Sequence, residues 1–269
     1  MTHNKSLKKA DPNFATQSNK LIEATYRMSV SAKRVMLMLL GQIHPGQQDV
    51  SKKIRIDALD YSERTGIDLC QSYFDIKNGC KELMRTIITT RNQQEKSTEH
   101  CVVVSWMKYH DNEGWLEATF TPWIAPYIHS LTRMGYTTIT VSEALKFKRF
   151  YTIRLYELLM QFKKTNERYI KIESLRDIFQ IEKGKYGRFA DFRKWVLEPS
   201  INEIEAKLNW NIDWGPVKAG RKITSISFVF EKNIPNQTTA ETFENTDMGN
   251  CENLTHYNNA NDMFNKLGM

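Results

Sequence analysis

A run of basic side chains within residues 185–204 (KYGRFADFRKWVLEPSINEI) offers the clearest binding chemistry in this sequence. The apolar residues of the run recur at helical spacing, which predicts one long helix with Lys194 on its polar side and Arg193 turned toward its apolar side. An arginine or lysine can present donors to O6 and N7 of guanine, and a helix of this kind fits the major groove. We therefore expect Arg188, Arg193 and Lys194 to read DNA bases, with Arg193 ranked just below Lys194.

Two other residues of this helix have structural roles in the prediction. Pro199 cannot donate to the carbonyl four residues back, which predicts a bend. Trp195 is interpreted as a packing residue rather than as one that stacks on bases. After the helix, residues 210–214 and 222–230 predict a two-stranded ribbon with alternating burial. The tip of this ribbon is expected to contact the DNA backbone or the minor groove through Lys218, Gly220, Arg221 and Lys222.

No combination of residues predicts catalysis. The phosphate-binding pattern G-x-x-x-x-G-K-[ST] is absent, since Gly184 and Lys185 have no glycine five residues upstream. The six histidines form neither H-x-H nor H-E-x-x-H, so a metal-dependent nickase and a zinc protease are both unsupported. A tyrosine recombinase would require a matched set of arginines and histidines, for which the sequence gives poor evidence. We therefore expect no catalytic residue, no metal, no cofactor and no enzyme activity.

The charge of the chain suggests a polyanionic partner. Its 269 residues carry a net charge of +7, with a pI of about 9.1. From residue 232 onward there are two lysines and five acidic residues, a net of −3, which leaves +10 for residues 1–231. A folded region this basic is typical of nucleic-acid binding, and the other interpretation is a surface charged for solubility.

The expected compartment follows from what the sequence lacks. No apolar run approaches the length needed to cross a bilayer, and residues 1–20 have no apolar middle of the kind found in a signal peptide. The four cysteines are scattered and form no CxxC pair. These features predict a reduced, cytoplasmic protein.

A repeated pattern predicts that the reading helix has a counterpart earlier in the chain. Residues 54–59 (IRIDAL) recur as residues 170–175 (IKIESL), each as a short strand leading into a helix that starts with an acidic residue. A glycine-containing break, a longer amphipathic helix and a β-ribbon follow each copy. In the first copy we predict a helix over residues 69–87, a polar loop over 89–97, and ribbon strands over 99–107 and 115–121.

The first copy and the segment between the copies supply further DNA-binding candidates. On the predicted helix of the first copy these are Gln71, Ser72, Lys81 and Arg85, the two basic residues for phosphate. A helical stretch that ends near Lys164 predicts a packed connector with a basic outer edge. On this connector, the residues that could clamp phosphates between the modules are Lys148, Arg149 and Arg154.

These elements predict an α+β fold of two winged-helix domains in tandem, duplicated and joined by a helical connector. Residues 1–18 are predicted to be a flexible basic arm, and residues 19–135 an N-terminal winged helix with DNA contacts, to which the family resemblance described next adds dimerisation. Residues 136–231 are predicted to form the connector helices and a C-terminal winged helix that does most of the DNA reading. Residues 232–269 contain few apolar residues and are predicted to be a disordered tail.

Three segments in order resemble a known family. They are residues 19–24 (NKLIEA), residues 151–159 (YTIRLYELL), and residues 192–204 (FRKWVLEPSINEI) followed by residues 220–222 (GRK). Together they resemble the RepE/RepA-type initiators of iteron-controlled, theta-replicating plasmids over roughly residues 15–231. Glu205 departs from the family pattern, where asparagine is common.

The resemblance implies a replication initiator that binds direct repeats (iterons) in double-stranded DNA at a plasmid origin as a monomer. It also implies help in opening an AT-rich segment and recruitment of the host initiator ATPase and the replicative helicase. As a homodimer, such a protein represses its own promoter at an inverted repeat. Three alternatives stay open from the residues themselves: a winged-helix transcription regulator with no role in replication, a DNA strand-transferring enzyme, and a protein-interaction scaffold. The scaffold would leave the paired helices with basic flanks unexplained.

Overall fold

The structure is a computed structural model that describes residues 10–43, 52–92, 95–110, 113–128 and 135–233. The first nine residues of the predicted arm and residues 234–269 of the predicted tail lie outside these ranges. The strands are β1 (Phe14–Ser18), β2 (Ile54–Asp57), β3 (Ile87–Asn92), β4 (Ser97–Val102), β5 (Val104–His110), β6 (Trp115–Phe120), β7 (Tyr136–Thr140), β8 (Glu167–Lys171), β9 (Trp210–Ala219) and β10 (Lys222–Lys232). The helices are α1 (Asn19–Ile22), α2 (Val30–Gly41), α3 (Ala58–Thr65), α4 (Leu69–Leu83), α5 (Ala125–Ile128), α6 (Val141–Ala144), α7 (Phe150–Met160), α8 (Ile172–Ile178), α9 (Phe189–Phe192) and α10 (Glu198–Leu208), with a 3₁₀ turn at Pro122–Ile124 and a π-helical turn at Arg193–Leu197.

The first winged helix is built from β2, α3, α4, β5 and β6. Its antiparallel sheet has the order β2-β6-β5, so the returning strand of the ribbon lies in the middle. Gly66, in the left-handed region at φ 71°, ends α3, and the Asp68 side chain caps α4 by accepting from the Gln71 N–H. The two helices are therefore separated by a tight turn, as the sequence predicts.

The second winged helix repeats this plan with β8, α8, α9–α10, β9 and β10. Its sheet has the order β8-β10-β9, again with the returning strand in the middle. Ile226, Phe228 and Phe230 of β10 are buried while the residues between them are more exposed, which is the alternation expected of a half-buried strand. The predicted α+β fold of two duplicated winged helices is confirmed.

Helix α7 lies between the modules and is buried on nearly all sides. Only Tyr151 among its eleven residues is not fully buried. A helix surrounded by protein in this way is a core element, and it packs on α10 of the second module and α1 of the first. The two modules therefore share one hydrophobic core.

The sequence interpretation is wrong at three places in the N-terminal half. Residues 14–18 are not part of an arm, because β1 pairs with β7 along its whole length. The polar loop expected over residues 89–97 includes most of β3, whose Ile88 and Thr90 are buried. The single strand expected over residues 99–107 is two strands in different sheets, since β4 pairs with β3 and β5 pairs with β6.

In the described residues, no helix combines the length and apolar character needed to cross a membrane.

Candidate nucleic-acid interface

The segment α9–α10 of the second module forms the predicted reading helix, beginning later than expected. Arg188 is the extended N-cap residue, so residues 185–188 precede the helix rather than belong to it. Asp191 lies in the first turn, where a carboxylate stabilises the positive end of the helix dipole. At the other end, Asn209 stops α10 in the left-handed region at φ 54°.

Arg176 of α8 fixes the loop before this helix. Its guanidinium donates to the backbone carbonyls of Lys185 and Tyr186 and lies 4.7 Å from the centre of the Phe192 ring. Gly184 supplies the positive φ of 88° that the loop requires. The start of the reading helix is therefore held against α8 by hydrogen bonds rather than by chain connectivity alone.

A π-helical turn interrupts this helix just before Pro199. The Glu198 N–H bonds to the carbonyl of Arg193, five residues back instead of four. Proline brings no N–H to the helix and its ring crowds the preceding turn, so a regular ladder cannot pass through this point. The predicted irregularity at Pro199 thus takes the form of a π turn on its N-terminal side.

The π turn corrects the predicted orientation of Arg193. A regular helix would direct this side chain toward the apolar side, whereas in the structure it is 55% exposed. Its Nε donates to Glu198 Oε1 at 2.7 Å, and its guanidinium lies 5.5 Å from the centre of the Trp214 ring on β9. Residues five apart are about 140° apart on an α-helix but much closer on a π turn, which explains how this ion pair forms.

The other two predicted base-reading residues are also at the surface. The Arg188 side chain is 86% exposed and pairs with Asp191 at 3.2 Å. Lys194 is exposed and has no carboxylate partner among the described residues; its ammonium group lies 5.0 Å from the centre of the Trp195 ring. Trp195 is itself 56% exposed, so the interpretation of this side chain as a packing residue is wrong.

The tip of the β9–β10 ribbon presents the predicted wing residues. Gly220 adopts φ 61° at the reversal, and Lys222 pairs with Ala219 across it. Lys218, Arg221 and Lys222 are exposed, and no ion pair within the described residues involves them. Their charge is therefore available to phosphate groups.

A groove of about 720 Å³ lies between this wing and the start of the reading helix. It adds cations that the sequence analysis did not select. Its basic and aromatic lining residues are Tyr169, Lys171, Arg176, Phe189, Arg221 and Lys222. Lys171 could have been found from its place at the end of β8, directly before a helix that packs behind the reading helix.

The connector brings two of its three predicted cations to the reading helix. Glu203 of α10 accepts from the Lys148 N–H at 2.6 Å and from the Thr152 hydroxyl at 2.6 Å. These bonds satisfy donors at the start of α7 and dock it on α10. As a result Lys148 and Arg149, both exposed, line one groove together with Lys194.

Arg154, the third predicted connector cation, is not available to DNA. Its side chain is fully buried and its Nη1 lies 2.9 Å from Glu157 Oε2. Its Nη2 donates to the carbonyls of Ile22 and Ala24 at 2.7 and 2.9 Å, and Nη1 also donates to the Tyr26 hydroxyl. A buried guanidinium requires such partners, and here it joins α7 to the chain segment after α1.

Glu157 is the single carboxylate in this buried cluster. Its Oε1 lies 2.7 Å from Lys33 Nζ and accepts from Gln17 Nε2 at 2.8 Å. Burial by itself would raise the pKa of Glu157, but the charges of Lys33 and Arg154 and the hydrogen bonds hold it below its ordinary value. The cluster therefore stays ionised and carries two cations for one anion.

In the first module, the structure separates the four predicted residues of α4. Gln71 is exposed, although its amide donates to Asp75 Oδ1 at 2.8 Å. Lys81 and Arg85 are exposed and line a groove of about 570 Å³ at the C-terminal end of the helix. Ser72 is fully buried, with its hydroxyl toward the Ile67 carbonyl, so the prediction that it contacts DNA is wrong.

A further basic groove connects the two modules. It has a volume of about 560 Å³, and its cationic lining residues are Arg34, Lys146, Lys148 and Lys207. Arg34 donates to the Phe147 carbonyl at 2.7 Å and is buried, whereas the three lysines are exposed. Lys207 was not selected from the sequence, because it lies beyond the predicted helix of residues 185–204, whereas α10 extends to Leu208.

The arrangement as a whole can bind an extended anion but offers no reaction chemistry. Exposed cations lie on the reading helix, on the wing beside it, on the connector and at the end of α4. Among the described residues, no group of histidine, cysteine or acidic side chains is placed to hold a metal ion. The clearest chemical capacity is hydrogen bonding to phosphate oxygens and to base edges.

Comparison with known proteins agrees with this geometry. Residues 15–160 match the family model "Initiator Replication protein, WH1", and residues 171–230 match "Initiator Rep protein, WH2". The chain is 28% identical to the PI protein of Escherichia coli over 245 residues, which cover 79% of this chain and 80% of that protein. It is 26% identical over 204 residues to an uncharacterised 27.6 kDa protein of Escherichia coli, covering 71% of this chain and 84% of the other. Among solved structures, it shares its fold with the Pi initiator protein in complex with iteron DNA, at a TM-score of 0.71 and 24% identity, covering 81% of this chain and 96% of that one.

Proposed function

Since the chain belongs to the initiator replication protein family, whose members are DNA-binding winged-helix proteins and not enzymes, we propose that it binds the iterons of a plasmid origin. The observation that carries this proposal is the coincidence of both family domains with exposed cations on the reading helix, wing and connector of the second module. The Pi initiator protein is bound to iteron DNA in its solved structure, which supports the same kind of target here.

Two winged helices on one chain suit a repeated double-stranded site. Each module offers one helix, and two such helices can enter successive major grooves on one face of the duplex, about one helical turn or ~34 Å apart. The connector cations Lys148 and Arg149 lie beside Lys194, where they would contact the backbone next to the groove that this helix enters. The second module would then make more contacts with the DNA than the first module does.

The individual roles follow from the partners of each side chain. Lys194 has no carboxylate partner among the described residues, so it is the first candidate for a guanine contact. Arg188 and Arg193 pair with Asp191 and Glu198, so each must give up or share an ion pair to reach a base. Both ion pairs are exposed, and the cost of opening such a pair is small.

Cations on loops and helix ends are assigned to phosphate. On the wing these are Lys218, Arg221 and Lys222, with the Gly220 backbone at the turn. Lys81 and Arg85 are assigned the same role at the end of α4, and Gln71 is the remaining candidate for base contact in the first module. Contacts of this kind fix the register of the protein on DNA without reading its sequence.

We extend the proposal to the consequences of binding. After occupying the iterons the protein would promote opening of an AT-rich segment and recruit the host initiator ATPase and the replicative helicase. A homodimer in equilibrium with the monomer would repress the gene of the protein at an inverted repeat. Both activities would take place in the bacterial cytoplasm, on the plasmid.

Footprinting on the plasmid of origin tests the DNA target. We expect protection of tandem direct repeats beside an AT-rich tract. Protection of only an inverted repeat at a promoter would contradict the proposal and favour a transcription regulator.

A maintenance assay tests the replication role. A plasmid that carries the repeats but lacks its own initiator gene should be maintained only when this protein is supplied from a second plasmid. Footprints on the repeats without maintenance would refute the replication role while leaving the DNA target intact. Incubation of supercoiled origin DNA with protein and Mg²⁺ should give no nick.

A further inference from the structure

Trp195 is a large apolar side chain on the outer surface of the reading helix. It is 56% exposed, and the Lys194 ammonium group lies 5.0 Å from the centre of its ring. Its indole N–H has no hydrogen-bond partner within the described residues. A large apolar side chain is costly to leave exposed, and here it directly follows two cations on a helix assigned to DNA.

The exposure of Trp195 follows from its position on the reading helix. The reading helices begin 120 positions apart, at Leu69 and Phe189. The buried pairs Ser72–Phe192, Ile76–Val196 and Cys80–Ser200 all keep that interval. Trp195 therefore corresponds to Asp75, on the outer face of α4.

Two cations precede Trp195 directly. Arg193, Lys194 and Trp195 are three consecutive exposed residues, and the next two, Val196 and Leu197, are both buried. All three exposed residues belong to the π turn, which brings Arg193 to the surface. The reading helix therefore exposes two cations and one aromatic ring side by side.

We propose that Trp195 is a specificity-determining residue that contacts the C5-methyl groups of thymine in the major groove. This inference rests on the proposed function, because it assigns a role within the same DNA interface. The thymine methyl is the apolar group that the major-groove edge of a base pair presents, and an apolar side chain is the matching partner. The adjacent Lys194 and Arg193 favour a polyanion over an apolar protein surface as the occupant.

The experiment measures the affinity of the full-length protein for one iteron in which each thymine is replaced in turn by deoxyuridine, which lacks the methyl group. For the wild type we expect affinity to fall roughly threefold for each contacting methyl group that is absent, at one or two adjacent positions only. Trp195→Ala should bind the unmodified iteron several-fold more weakly and should no longer respond to deoxyuridine at those positions. Trp195→Phe should give intermediate values.

Trp123→Ala is the matched control. Trp123 is 72% exposed in the first module, at the 3₁₀ turn after β6, far in sequence from the reading helix. We expect this variant to keep the wild-type response to deoxyuridine. Equal thermal midpoints for the wild type and the Trp195 variants establish that the fold is intact.

The outcomes separate this inference from the function on which it rests. If Trp195→Ala keeps the deoxyuridine response of the wild type, or binds every DNA with wild-type affinity, the role of Trp195 is refuted while iteron binding stands. If the wild type binds iterons no better than scrambled DNA, the proposed function itself fails. A wild type that prefers iterons but ignores deoxyuridine at every position also overturns the thymine contact.

Discussion

The two winged helices have the same strand order but use their charged side chains differently. In the first module, cations lie over aromatic rings: Lys53 is 5.0 Å from the Trp106 ring centre, and Arg55 is 4.2 Å from that of Trp115. In the second module, the wing cations have no such partners within the described residues. The same topology therefore pairs cations at β2 with aromatic rings in the first module and leaves the wing-tip cations of the second module without such partners in the described part of the chain.

The reading helices use acidic side chains alike but place their cations differently. On α4, Asp75 in the middle accepts from the Tyr61 hydroxyl at 3.1 Å and Glu82 at the end accepts from the Ser29 N–H at 2.8 Å. Glu203 and Glu205 of α10 make corresponding contacts. In the second helix Arg193 and Lys194 come before these contacts, whereas α4 has no cation before Asp75.

The largest expected effect comes from exchanging a buried cation for an apolar residue. Arg154→Met should lower the free energy of unfolding by about 3–5 kcal/mol, because Glu157 and two backbone carbonyls lose a buried partner. Urea unfolding followed by circular dichroism measures it. Arg149→Met, on the same connector but exposed, should change stability by less than about 0.5 kcal/mol and weaken DNA binding instead. Equal stability losses would abolish the distinction between structural and DNA-binding cations.

The next effect concerns base discrimination by the second module. Lys194→Ala should lose about 1–3 kcal/mol of preference for the iteron over variants with single base changes, because a donor to a base edge is removed. Competition binding against a panel of iteron variants measures it. If affinity for the iteron and for random DNA falls by the same factor, Lys194 contacts phosphate and the assigned role is wrong.

The fold elements could be predicted from the sequence, whereas contacts between residues distant in sequence could not. Periodicity and turn residues are local, so the duplicated strands, helices and ribbons were predictable from residues 54–59 and 170–175. The partners of the buried Arg154 guanidinium include Tyr26 and the carbonyl of Ile22, which are 128 and 132 positions away in sequence. A helical wheel of residues 150–160 contains no information about such distant partners, so it cannot distinguish a buried arginine from an exposed one.

The reading helix itself was only partly predictable. Pro199 predicted an irregularity in the helix. A periodicity of 3.6 residues does not show that this irregularity is a π turn, or that it lies on the N-terminal side of Pro199. Arg193 was therefore assigned to the wrong side of the helix. Pairing of β1 with β7 was likewise invisible, because pairing between strands so distant in sequence leaves no local pattern.

A smaller and uniform effect is expected at the wing. Arg221→Ala should weaken binding to iteron and random DNA by the same factor, because a phosphate contact carries no sequence information. The slope of log affinity against log salt concentration should become shallower by about 0.9, since the variant neutralises one phosphate fewer. Titration at several salt concentrations gives this slope, and Lys163→Ala, an exposed lysine after α7, serves as a control with an unchanged slope. A weakening confined to the iteron would assign Arg221 to base reading.

The smallest expected effect tests the first module directly. Gln71 is exposed on α4, but its amide is already bonded to Asp75 at 2.8 Å, so a base contact would have to replace an existing hydrogen bond. Gln71→Ala should therefore reduce affinity for the iteron by roughly threefold or less, within the range of ordinary surface substitutions. The same competition assay as for Lys194→Ala gives the comparison under identical conditions. If the affinity falls as much as it does for Lys194→Ala, both helices contribute equally to base reading. In that case the base contact of Gln71 would be strong enough to offset the loss of its hydrogen bond to Asp75.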